Sequence, residues 1–137
     1  MTNKLTFKQA FKAGLFTAGV ATLINSIIYL IAHASGIIRD DVFVKSDTPL
    51  TIVPVVISSI IPPIIGGLIF FLFKKYSQNG FRNFAIFGTI VFVLMLIPPF
   101  KIKDVSFSYA LTLELMHLTV FCILLYILSR KKSMLNN

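Results

Sequence analysis

Residues 107–128 read FSYALTLELMHLTVFCILLYIL, and the reading of this stretch decides the fold. A helix needs about 20 mainly apolar residues to cross a bilayer at about 1.5 Å per residue, and this run supplies them. Glu114 and His117 stand in its middle, three residues apart and therefore on one face of a helix. Three stretches of the same kind precede it, Ala13–Ala34, Leu50–Phe73 and Phe84–Pro98. The last stops at Pro98-Pro99, since proline removes the amide that would continue the helix, and Phe81–Asn83 can add a turn at its start. The sequence thus predicts an all-α, four-transmembrane-helix bundle forming a single integral membrane domain over residues 1–137.

Composition points the same way. Hydrophobic residues make up 56% of the chain and charged residues 13%. A soluble domain carries about 25% charged residues, so this chain has too few to cover a water-facing surface. Fourteen Phe and no Trp make the aromatics mostly apolar bulk. The net charge of +8 resides in short clusters beside the apolar runs, as membrane flanks do. No basic groove with interleaved aromatics is present, which argues against nucleic acid as a partner. Cys122 is the single cysteine, so an intrachain disulfide or thiolate metal cluster is excluded. Lys4, Lys8 and Lys12 before an apolar run, with Ala32-His33-Ala34 at its end, have the shape of a cleaved leader. The run is longer than the roughly 7–15 residues of a leader core, and we read it as the first helix.

Charge then sets the threading. Lys4, Lys8 and Lys12 flank span one, Lys74, Lys75 and Arg82 join spans two and three, and Arg130, Lys131 and Lys132 follow span four. Gly36–Pro49 balances Arg39 and Lys45 against Asp40, Asp41 and Asp47. Basic short loops stay in the cytoplasm, so both termini are expected inside, although Lys101 and Lys103 in the third link dissent mildly. In the first link Val42-Phe43-Val44 is β-prone and Lys45-Ser46-Asp47-Thr48-Pro49 reads as a turn, which fits a short hairpin or extended flap as well as a plain connector.

Membrane helices associate through small residues that let backbones approach. Span one offers Gly14, Ala18 and Thr22, continuing to Asn25 and Tyr29. Span two offers Ser58, Pro62 and Gly66 on one face and Ser59, Pro63 and Gly67 beside it, and its prolines should kink it. Span three is bulky apart from Gly88 and Thr89, so spans one, two and four are expected to form the tight core. Counted at 1.5 Å per residue from one end, Asn25, Ser58, Ser59, Thr89, Glu114 and His117 fall about 10–15 Å deep, in one layer.

Asn25, Ser58, Ser59, Glu114 and His117 are therefore the candidate intramembrane polar site. Three uses of it compete. His117 pins helix four to Asn25 or a serine, with Glu114 protonated or bonded to Tyr29 or Ser26. Alternatively, Glu114 and His117 exchange protons for a coupled small-solute transporter. The third use is metal or enzyme chemistry. Glu-x-x-His serves di-metal bundles only when it occurs twice with further glutamates, and here it occurs once, with His33 near a span boundary. No HExxH, Gly-x-Ser-x-Gly or phosphate loop is present, so no catalytic, cofactor or metal residues are assigned. The leading expectation is a non-enzymatic membrane module that binds a small solute, a second copy or another membrane protein.

GLFTAGVATLINSIIYLI in span one, LTIVPVV at the start of span two, IPP ending span three and ALTLELMHL in span four carry a resemblance. The chain resembles an uncharacterised family of small four-pass bacterial membrane proteins, some of whose members bear a cell-envelope-biogenesis label. The resemblance implies an inner-membrane location and shared positions at Asn25, Pro54 and His117. It implies an apolar residue where Glu114 stands, so Glu114 is a departure, and it brings no activity or ligand.

Overall fold

A computed structural model of the protein describes residues 5–41, 43–45, 48–102 and 105–136, the side chains of 43–45, 48 and 131–136 excepted. Among these residues four helices form the bundle: α1 (Phe7–Ala34), α2 (Ile52–Tyr76), α3 (Gly80–Met95) and α4 (Phe107–Asn136). Each is long and apolar enough to cross a membrane, α3 together with the 3-10 turn Pro98–Lys101 that extends it. The α1–α2 link carries a short antiparallel pair, β1 (Phe43–Lys45) with β2 (Thr48–Pro49), Phe43 opposite Pro49. Val42, Ser46 and Asp47 of the expected hairpin, and Lys103 of the third link, lie outside the described residues.

The helix ends differ from the hydropathy boundaries, because hydrogen bonds and not apolarity decide them. α1 starts at Phe7 rather than Ala13, since Thr6 and Gln9 form a capping box. The Thr6 amide donates to Gln9 Oε1 at 2.9 Å and the Gln9 amide to Thr6 Oγ1 at 3.3 Å. It ends where Gly36 takes φ 74°, which lets the Ile37 amide return to the Ala32 carbonyl at 2.9 Å. α3 starts at Gly80 rather than Phe84, and a Cβ there would sit 2.7 Å from the Phe73 carbonyl oxygen. Only glycine permits so tight a turn from α2 into α3. α3 then stops at Met95, ahead of Pro98-Pro99, and α4 continues past Leu128 to Asn136 because lysine and arginine favour helix as leucine does.

The tightest packing is between α1 and α2. At Gly14 a Cβ would lie 2.7 Å from the Pro63 carbonyl oxygen, and at Gly67 2.7 Å from that of Ala10. Pro63 thus sits buried inside the crossing, its carbonyl oxygen against the backbone of α1. Of the two small-residue rows foreseen on α2, Ser59, Pro63 and Gly67 are buried, whereas Ser58 and Pro62 face outwards. On α1 the buried stripe is mainly alanine, with Ala10, Ala13, Ala18, Ala21 and Ala32 all inside. α4 packs on α1 and α2, while α3 leans on α2 and α4 and buries only Gly80 and Phe84.

Two apolar clusters close the ends of the bundle. Leu5, Ala10, Phe70, Phe84, Leu124 and Leu128 gather where the chain termini lie, with Phe84 packed edge-on to Phe70 at 5.3 Å. Tyr29, Ile38, Leu50, Val55, Tyr109 and Met116 gather at the opposite end. Large apolar side chains such as Phe16, Leu23, Ile31, Ile61, Ile90 and Leu111 point outwards all round. In water so continuous a belt would aggregate, and in a bilayer it is the solvated surface.

Candidate functional site

Between the two clusters lies a polar layer, and Asn25 is its centre. Asn25 is buried on α1 and its Nδ2 donates to Ser59 Oγ on α2 at 2.8 Å and to the Met116 carbonyl on α4 at 3.3 Å. One amide therefore ties three helices together. Asn25 lies about 13 Å from the Ala34 end of α1, Ser59 about 10 Å from the start of α2 and Met116 about 13 Å from the start of α4, so the layer is well inside the hydrocarbon. There a hydrogen bond meets no competing water.

The sequence-based pairing of Asn25 with His117 is corrected here. Met116 and His117 are about 100° apart on α4, and the helix turns the Met116 backbone, not the imidazole, towards α1. His117 is half-buried and has no hydrogen-bond partner among the described residues. Ser58 is exposed and donates to the Val55 carbonyl at 3.0 Å, away from the Asn25 node. Thr89 likewise bonds back to its own helix, to Ala85 at 2.8 Å. Tyr29, foreseen as a partner for Glu114, instead donates to the Leu50 carbonyl at 3.4 Å.

Glu114 is left as the unusual group. It is 8% exposed, and neither carboxylate oxygen has a hydrogen-bond partner among the described residues. Asn25 Oδ1, the Thr22 hydroxyl and the Tyr109 hydroxyl are also buried and unpartnered there. Glu114 borders a groove of about 500 Å³ between α3 and α4, lined further by Phe92, Leu96, Leu111, Thr112, Leu115 and Leu118. Thr112 spends its proton on the Ser108 carbonyl at 2.8 Å, so Glu114 is the groove's one uncommitted polar side chain. Phe92 is held in a stack with Phe121, centroids 4.9 Å apart. Sequence reasoning reached Glu114 but missed the groove and Phe92, because a phenylalanine amid fourteen carries no signal of its own.

At the last turn of α1 His33 Nε2 meets Asp40 Oδ1 at 3.0 Å, and in the link beyond it the Arg39 guanidinium grips Asp41 through Nε at 2.9 Å and through Nη2. The hydrogen bond from Arg39 holds the Asp41 carboxyl below its ordinary value. These exposed pairs order the link and leave the polar layer without a charge partner.

Four apolar membrane-crossing helices closed around a buried polar node define a multi-pass membrane protein of the helix-bundle class. The chain belongs to a family of unknown function (DUF6069), whose model matches residues 6–134. No curated protein and no solved structure matches it.

Proposed function

We propose that the protein is a non-enzymatic membrane module that binds a small solute at its polar layer. The observation that carries this reading is Glu114, buried with both carboxylate oxygens unpartnered beside a groove. An ionisable group in the hydrocarbon layer is costly unless something matches it. Helix packing matches Asn25 with two partners and gives Glu114 none, which favours a bound molecule as the missing partner. We further place the module in the bacterial inner membrane with both termini cytoplasmic. Lys8, Lys12, Lys74, Lys75, Arg82 and Arg130 at the terminal end support the orientation, and the family resemblance supports the membrane.

A second reading, proton-linked transport, is favoured by Glu114 and His117 lying one turn apart on α4. It shares the first reading's dependence on Glu114.

The test is the stability of Glu114→Gln in detergent or nanodiscs. A residue kept for a ligand weakens the empty fold, so the variant is expected to match the wild type or exceed it by up to about 1 kcal/mol. A loss of about 1 kcal/mol or more would show that Glu114 serves helix packing, and the binding reading would fall.

A further inference from the structure

We infer that the α3–α4 groove is a lipid-accessible site for a hydrophobic monocation, an amine or onium centre wrapped in apolar groups, with Glu114 as its counter-charge. This rests on the solute-binding reading above and names the class of solute. The groove wall is open to the bilayer, since Leu111, Leu115 and Leu118 are 54%, 49% and 42% exposed on the outside of the bundle. A molecule that enters from hydrocarbon must be apolar over most of its surface. Small hydrated ions and sugars do not meet that condition.

The charge follows from what the groove holds. Glu114 is the single acidic residue in the four helices, and it has no cationic partner among the described residues. One carboxylate neutralises one positive charge. An anion would be repelled, and a neutral apolar molecule would leave both oxygens unmatched. Phe92 adds a second element of recognition, because an aromatic ring attracts a desolvated cation. The two groups approach the groove from different helices, Phe92 from α3 and Glu114 from α4.

Tetraphenylphosphonium is the probe, and tetraphenylborate, of the same shape and opposite charge, is the control. In phosphatidylcholine nanodiscs the wild type is expected to bind the phosphonium saturably in equilibrium dialysis, above the partitioning seen with empty discs. Glu114→Gln should weaken that binding by at least about tenfold. Phe92→Ala should weaken it by a smaller factor, and tetraphenylborate should show partitioning alone. Equal saturable binding by Glu114→Gln, or by both ions, overturns the inference. No phosphonium binding by the wild type, with Glu114→Gln fully stable, overturns the cation class and leaves the solute-binding reading standing. A destabilised Glu114→Gln removes that reading itself. A second measurement uses the wild type alone. Dicyclohexylcarbodiimide, an apolar carboxyl reagent, should modify Glu114, and the phosphonium should protect it. Modification that the phosphonium leaves unchanged overturns the inference.

Discussion

Asn25 ties three helices together with one side chain. Its amide nitrogen holds α2 through Ser59 and α4 through the Met116 carbonyl, and both partners are deep in the hydrocarbon. Asn25→Ala should destabilise the protein by about 1–2 kcal/mol, because an interhelical hydrogen bond within a membrane protein averages about 0.6 kcal/mol and two are lost together. Ser59→Ala should cost less, since Asn25 keeps its bond to the Met116 carbonyl. Chemical denaturation in detergent checks both, and equal losses for the two variants would contradict a shared node. Asn25 and Ser59 were legible because a polar residue among leucines and isoleucines stands out. Their pairing was not, since the choice of the Met116 carbonyl over the His117 ring depends on the rotation of α4 about its axis. Backbone acceptors carry no sequence signal at all.

At the scale of helices, close approach is set by single hydrogens. A Cβ at Gly14 or Gly67 would fall 2.7 Å from a carbonyl oxygen of the facing helix, whereas at Gly19 it would meet nothing within 4 Å. Gly14→Ala and Gly67→Ala should therefore each cost about 1–3 kcal/mol, as overpacking against backbone does. Gly19→Ala should be neutral or stabilise by up to about 1 kcal/mol through helix propensity alone. Melting temperatures of the three variants in one detergent test the contrast, and a uniform effect would place the crossing elsewhere. The sequence showed that Gly14 and Gly67 belonged to small-residue rows and that α1, α2 and α4 made the core. It did not distinguish the Ser59–Gly67 row from the neighbouring Ser58–Gly66 row, because both have the same composition and spacing. It also placed the apolar starts of α1 and α3 late, since hydropathy follows apolarity while Thr6 and Gly80 start their helices beyond it. The extra turn allowed from Phe81 comes within one residue of Gly80.

Over the whole molecule, the number and order of the spans were plain from the apolar runs, and α1 to α4 alternate direction. Sidedness is a separate matter, argued from the basic residues at the terminal end. In a Cys122→Ser background, Asp41→Cys should react with a membrane-impermeant maleimide in intact cells, and Lys75→Cys only after lysis. Labelling of position 75 from outside would invert the proposed orientation. The four helices are also held in unlike ways. From Phe84 to Met95, α3 makes no hydrogen bond to another helix among the described residues, and its buried residues Gly80 and Phe84 lie in its first two turns. Where it begins is nonetheless fixed, by a link of only residues 77–79 and by Asn83 reaching back to Ser77 at 2.7 Å. Its position is thus inherited from α2, as a page inherits its place from the binding. Apart from Phe92, which stacks on Phe121 and borders the groove, the far half of α3 is free to vary in spelling so long as it stays greasy, and most of the text that specifies this protein is written on the other three helices.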